Sequence, residues 1–197
     1  YNPTVQAVPP ASPFHDPKLA PPARDVAKAK ALLKEAGVAL PVKLELMTPN
    51  EPDSLQAAEV IQSMAAEAGF EIKIQATEFA SSLSAGQRGD YQAYLIGWSG
   101  RVDIDGNVYQ FLRSGQGNNY SKYASAEMDS LLDEARGSVD AGKRRALYAE
   151  AAALARADLP LTYMWNPKNI VGHSARLQGF KPVPDGMIRV RDLRMAP

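Results

Sequence analysis

The residues best suited to chemistry lie in one run. Gly97-Trp98-Ser99-Gly100-Arg101 is followed closely by Asp103, Asp105 and Asn107. A glycine lets another backbone approach. A tryptophan offers a flat apolar wall with one N–H donor. An arginine presents a planar fork that matches a carboxylate, and carboxylates can hold a cation or a ligand amine. Gly97, Trp98, Ser99, Arg101, Asp103, Asp105 and Asn107 therefore form a candidate ligand-binding set. A plainer reading stands beside it. Glycines at a strand end are ordinary turn residues, tryptophan is often core, and Arg101 can pair with Asp103 or Asp105 at the surface.

Other chemistry finds less support. Asp103-Ile104-Asp105-Gly106-Asn107 has a calcium-loop flavour but lacks the third alternating ligand and the late bidentate Glu, so a turn is expected. Gly115-Gln116-Gly117 is followed by no Lys-Ser/Thr and is not a phosphate loop. Ser99 has no matching nucleophile elbow or His–acid pair. The two histidines, His15 and His173, fall in different loop-like regions and read as surface residues. Cysteine is absent, which excludes disulfides, thiolate metal sites and cysteine nucleophiles. No catalytic residue, metal or cofactor is expected. The alternative from another class is an α/β enzyme domain using Asp103 or Asp105 as acid or base.

The elements that must position the run alternate along the chain. Asp25 can cap a helix burying Val26, Ala29, Leu32, Leu33 and Ala36, with Gly37 as its stop. Val42 to Leu46 alternates with period two, as a half-buried strand does. A helix after Pro52 carries Leu55, Ala58, Ile61, Met64 and Ala68 and ends at Gly69. Phe70 to Ile74 is a second strand, Glu78 to Gly89 a short polar helix or loop, and Tyr91 to Trp98 a third strand. This order predicts an α/β layer with at least partly parallel strands. The run from Gly97 then lies beyond the carboxyl end of a strand, where open α/β sheets place ligands.

Two further helices are expected, one capped by Ser125 with Met128, Leu131, Leu132 and Ala135 inward, another from about Asp140 to Ala157. Tyr109 and Phe111, in a helical stretch after the turn, read as packing residues. Leu161 to Trp165 reads as a strand re-entering the sheet. Its Tyr163 and Trp165, with Asn166 just beyond, can reach a cleft, although core aromatics are the commoner case. The tail from Gly172 is loop-rich, with a short strand at Ile188 to Val190. Residues Tyr1 to Pro22 hold prolines at 3, 9, 10, 13, 17, 21 and 22, which forbid a regular helix or central strand. They read as an extended connector laid over a domain surface or joining two domains.

The 197 residues suit one domain or two small ones. Lys plus Arg and Asp plus Glu balance at 22 each, which argues against a nucleic-acid partner or an anionic membrane surface. No apolar run approaches a membrane span. The chain opens Tyr1-Asn2-Pro3 without a start methionine and reads as a processed chain or a piece of a longer protein.

Four segments, in order, resemble one family: the peptide-type solute-binding proteins of ABC importers (extracellular solute-binding family 5), which includes dipeptide, oligopeptide and nickel binders. Asp25 to Gly37 resembles the family's helix before its first C-terminal-lobe strand. Gly89-Asp90-Tyr91-Gln92-Ala93-Tyr94-Leu95-Ile96-Gly97-Trp98 resembles its glycine-to-Gly-Trp strand. Asn119-Tyr120-Ser121-Lys122-Tyr123 with Met128 to Leu132 resembles its aromatic turn and following helix. Arg144 to Tyr148 leading to Asp158-Leu159-Pro160-Leu161 resembles its penultimate helix and return strand. The resemblance implies a periplasmic-binding-protein type II-like lobe, a mixed sheet flanked by helices. Residues 1–23 would be the Pro-rich connector and 24–197 the C-terminal lobe of a two-lobed protein. It implies a substrate-binding component that captures a peptide or other small solute outside the cytoplasm, in the periplasm or on a lipid anchor, and delivers it to a membrane permease. The opposite wall of the pocket would come from an N-terminal lobe absent from these residues. A ligand-sensing module of a receptor could share the same fold. In peptide-binding relatives the Gly-Trp-x segment presents its backbone to the ligand, a role that would fall on Gly97, Trp98 and Ser99. Relatives that grip a free amine carry Asp three residues after the Trp. Here that residue is Arg101, so an anionic solute also fits, as does a shift of the amine contact to Asp103.

Overall fold

The computed structural model describes residues 2–183 and 187–196. In chain order the elements are β1 (Asn2–Pro3), α1 (Val26–Glu35), β2 (Val42–Pro49), α2 (Pro52–Ala66), β3 (Phe70–Thr77), α3 (Phe79–Arg88) and β4 (Ala93–Tyr94), then α4 (Asp105–Leu112), α5 (Ala126–Gly137), α6 (Ala141–Asp158), β5 (Trp165–Asn166), β6 (Leu177–Gln178) and β7 (Arg194–Met195). They divide into two compact units. One, the sheet unit, comprises Pro22–Trp98 and Gly117–Lys122. The other, the helical unit, comprises Tyr1–Pro21, Ser99–Gln116 and Tyr123–Pro197.

The sheet unit is built on three parallel strands in the order β3-β2-β4. β2 pairs with β3 along its whole length, from Val42 opposite Phe70 to Pro49 opposite Thr77. The alternation read at Val42 to Leu46 gives way to Met47 and Thr48, both buried, as β2 becomes the central strand. Leu46, Ala58 and Ile72 form the core, with Ile61, Phe70 and Leu95 packed around it. The Gln62 amide donates to the Ile72 carbonyl at 2.7 Å and ties α2 to the sheet. The expected caps are present. The Asp25 carboxylate accepts the Lys28 N–H, and Gly37 and Gly69 take positive φ where their helices stop. The expected inward faces of the helices hold only in part. Leu32 is 53% exposed and Met64 45%. Leu32 lies about 100° around the helix from the half-buried Leu33, so one face cannot bury both.

β4 is much shorter than the strand expected over Tyr91 to Trp98, and the reason lies in β2. Alternate residues of a strand turn their peptide groups to the same side. Glu45, Met47 and Pro49 therefore face β4. The Leu95 N–H donates to the Met47 carbonyl at 2.9 Å. The next rung would need an N–H from Pro49, and proline has none. The Thr48 hydroxyl donates to the Leu95 carbonyl instead, at 3.2 Å. At the other end, the Gln92 side chain accepts the Glu45 N–H at 2.7 Å. Side chains thus close both ends of β4, and the chain leaves the sheet at Ile96.

The helical unit packs α4, α5 and α6 around Ile104, Val108, Leu112, Met128, Leu132, Leu147 and Ala151. Ser125 caps its helix as expected, accepting the Met128 N–H, and Asp140 caps the next, accepting the Lys143 N–H. Tyr109 and Phe111 pack against this core. The Pro-rich start behaves differently from a surface connector. Thr4, Gln6 and Val8 are buried at successive alternate positions, and Val8 joins the core. The Gln6 side chain accepts the Asp16 N–H and donates to the Asp16 and Leu19 carbonyls, holding the proline loop against itself. Proline prevents a long ladder but not an extended chain with every second side chain inward. β5 pairs antiparallel with β1, not with the parallel sheet. The strand expected at Ile188 to Val190 is absent. Arg194–Met195 pairs with Leu177–Gln178 instead, leaving Ile188 and Val190 exposed. The α/β class thus holds, with the parallel strands in one sheet and the antiparallel pairs in separate ribbons.

Two outcomes test this packing. Leu132→Ala, at a fully buried position, is expected to cost about 2–5 kcal/mol in urea unfolding, and a loss under about 1 kcal/mol would contradict its central place. Thr48→Val keeps the shape but orphans the Leu95 carbonyl. It is expected to cost about 1–3 kcal/mol, and an unchanged midpoint would show that water satisfies that carbonyl.

Candidate functional site

The sheet unit ends on the part of the run that has left its ladder. Gly97 and Trp98 are exposed, Trp98 at 39%. A side chain built at Gly97 would meet nothing within 4 Å. Backbone that has left a sheet edge in an open stretch is suited to receive another chain by strand addition.

The rest of the run belongs to the helical unit. Ser99 and Arg101 are exposed. Arg101 Nη1 donates to Ser99 Oγ at 3.1 Å and to the Gly100 carbonyl at 2.6 Å. The Arg101 N–H donates to Asn107 Oδ1 at 2.7 Å, and Asn107 Nδ2 donates to the Arg101 carbonyl at 2.8 Å. Asn107 is buried, so its amide is a fixed structural fitting and not an open ligand contact.

Asp103 and Asp105 are engaged from α6 and α5. Arg144 meets Asp103 with both terminal nitrogens, at 3.0 and 2.6 Å. Arg136 meets Asp105 through Nε and Nη2, at 3.0 and 2.7 Å, and the Tyr148 hydroxyl also donates to Asp105 at 3.3 Å. The Arg136 guanidinium lies 3.2 Å from the centre of the Tyr109 ring, a favourable place for a cation. Such two-pronged pairs carry more directional strength than a single contact. Arginines from two other helices thus hold both acids. Sequence reasoning missed Arg136, Arg144 and Tyr148, whose partners lie 31 to 43 residues away in the chain. No local spacing marks them.

The electrostatics follow the pairing. The hydrogen bonds from Arg144 hold the Asp103 carboxyl below the usual carboxylate range. Burial, with the Asp105 charge next, pushes the Tyr148 hydroxyl up to about 12. Burial likewise raises Tyr163, whose hydroxyl is enclosed on the segment leading to β5. His15 is half-buried beside Gln6, and His173 is exposed beside Phe180. Among the described residues no group of three His, Asp or Glu side chains is placed to hold a metal ion.

A carboxyl whose pKa is lower folded than unfolded adds stability above its unfolded pKa and loses it as pH falls through the folded value. Asp103→Asn is therefore expected to lower Tm near neutral pH and to reduce the further fall in Tm on acidification below about pH 4. Equal pH slopes in the two proteins would remove the Asp103–Arg144 pair from the acid response.

Comparison with known proteins finds relatives of this chain. Residues 1–120 match the family described as "Bacterial extracellular solute-binding proteins, family 5 Middle". Di/tripeptide-binding protein 1 of Pseudomonas aeruginosa (strain UCBPP-PA14) is 33% identical over 170 residues, 79% of this chain and 32% of that protein. The solved structure of the ABC transporter-associated periplasmic binding protein DppA from Helicobacter pylori, in complex with peptide STSA, superposes with a TM-score of 0.72 at 28% identity, over 81% of this chain and 32% of that one. A dipeptide binding protein from Pseudoalteromonas sp. SM9913, in complex with Met-Leu, shares the fold with a TM-score of 0.82 at 24% identity, over 98% of this chain and 40% of that one. The chain spans about a third of the length of the curated relatives it matches. Among the described residues no helix is long and apolar enough to cross a membrane. With the family match over its first 120 residues, more than half of its length, this chain belongs to the bacterial extracellular solute-binding proteins of family 5.

Proposed function

We propose that the chain is the C-terminal lobe of the substrate-binding component of an ABC importer. It captures a peptide or another small solute outside the cytoplasm, in the periplasm or tethered by lipid, and presents it to a membrane permease. It works by binding and does no covalent chemistry. The observation that carries this reading is the end of β4. The sheet stops offering rungs at Pro49, and Gly97-Trp98-Ser99 emerges exposed, with open space beside Gly97. An extended solute could lie along that backbone as an added strand, with the Trp98 ring as its wall. Arg101 offers the charged contact.

Asp103, Asp105 and Asn107 take a different part in this proposal. Arg144 and Arg136 already hold the two acids, and Asn107 holds the Arg101 backbone. These three anchor the loop, and the solute contacts fall to Gly97, Trp98, Ser99 and Arg101. The enzyme alternative loses ground for the same reason. A general base works best with a pKa near the working pH, and Arg144 holds Asp103 the other way. The second wall of the pocket would come from the N-terminal lobe of a longer polypeptide. These residues alone would then supply only part of the enclosure that small-solute sites require.

The test is calorimetry on the full-length protein with Ala-Ala as probe. Binding is expected, with the dipeptide recovered chemically intact, and Trp98→Ala is expected to weaken it about tenfold. Hydrolysed probe would overturn the binding-module reading, and unchanged affinity in the variant would remove Trp98 from the site. The 197-residue chain by itself is expected to bind the probe too weakly to measure.

A further inference from the structure

We propose that Gln62 guards the open edge of the parallel sheet: its amide holds the Ile72 carbonyl and keeps β3 from adding to β3 of a second copy of this chain. The proposal is independent of the solute reading, because it concerns the edge of the sheet opposite β4.

β3 stands at the end of the order β3-β2-β4, and among the described residues no strand pairs with its outer side. Its eight residues include no proline, and their register with β2 is unbroken from Phe70 to Thr77. An edge of that length and regularity is a template for strand addition unless something blocks it. The ladder fixes which groups face outward. The Gly69 carbonyl accepts the Val42 N–H and the Thr77 carbonyl accepts the Asn50 N–H, each at 2.9 Å. Odd-numbered residues thus turn their peptide groups to β2, and Phe70, Ile72, Ile74 and Ala76 turn theirs to the open edge. The Ile72 carbonyl belongs to that outward row, and Gln62 Nε2 reaches it from α2 at 2.7 Å.

Charge selects a second copy as the occupant. Ile72 points into the core of the sheet unit, so Glu71 and Lys73 point to the other face, where both are exposed. In antiparallel pairing about a two-fold axis at Ile72, Glu71 of each copy stands opposite Lys73 of the other, and Phe70 opposite Ile74. Opposite charges facing across strands attract, and like charges repel. An axis moved by one residue either way would set Glu71 against Glu71 or Lys73 against Lys73. Lys73 also pairs with Glu45 on β2, an exposed contact whose exchange costs little. The matched register is self-complementary, as a two-fold interface requires. Its central rung needs the Ile72 N–H of each copy to meet the Ile72 carbonyl of the other. That carbonyl is the one Gln62 holds, and the Gln62 side chain takes up the edge at the same point.

The experiment is sedimentation of the full-length protein across a concentration series. Gln62→Ala is expected to tighten self-association about tenfold over the wild type and to shift the protein toward a dimer. Adding Lys73→Glu sets Glu against Glu in the matched register and is expected to reverse that shift. Adding Glu71→Lys as well restores opposite charges and is expected to bring the dimer back. Identical sedimentation of the wild type and folded Gln62→Ala overturns the guard. Should Gln62→Ala fail to fold, Gln62→Ser, with a side chain too short to reach the Ile72 carbonyl, decides on the same terms. A dimer that survives Lys73→Glu, or that fails to return with the exchanged charges, overturns the assigned register and with it the occupant.

Discussion

A missing hydrogen on Pro49 governs how the candidate site is presented. The central strand β2 can donate to β4 only as far as its N–H groups allow, and Pro49 ends the series. The Thr48 hydroxyl satisfies the last carbonyl, at Leu95, so the break leaves that half-buried group paired. Everything after Leu95 is thereby released from the sheet while its base stays fixed. A continuous rung would have drawn Gly97 and Trp98 into the ladder and used the backbone groups that strand addition needs. On the β3 side the ladder runs on, with the Asn50 N–H donating to the Thr77 carbonyl. The release is therefore confined to the edge that leads into the Gly-Trp run.

The helical unit secures its part of the run by charge. Arg144 and Arg136 reach from two helices to Asp103 and Asp105 and set the loop at the start of α4. Neither pair is fully buried, with side-chain exposures of 20% and 57% for one and 48% and 23% for the other. Their desolvation cost is therefore modest, and so is their screened attraction. Their value lies in geometry: each arginine fork fixes the direction of a carboxylate. Within that loop, the Asn107 amide holds both backbone polar groups of Arg101. The acids and the amide of the run thus serve as anchors of the loop.

Much of the frame was legible because it depends on local rules. Asp25, Ser125 and Asp140 cap helices through bonds to residues three positions on. The alternation of Val42 to Leu46 and Phe70 to Ile74 marked two strands whose parallel pairing follows from the helix between them. The misreadings share one cause. The length of β4, the burial of Thr4, Gln6 and Val8, the pairing of β5 with β1 and the exposure of Leu32 all depend on which element lies alongside. That information is not local. Thr4 and Gln6, being polar, also hid the inward alternation that Val8 completes.

By itself the sequence determined the α/β class, the helix ends, the two long strands and the position of the Gly-Trp run at a strand end, because caps, turns and periodicity act over a few residues. Only the tertiary structure decided which partners the acids and the amide of that run take. Asp103 and Asp105 were candidates on residue type, and their partners lie on helices 31 to 41 residues downstream. Arg101 looked able to pair with them, and its course depends on the absence of a side chain at Gly106. Charge pairing and steric room are settled by distance in space, which spacing along a chain does not encode.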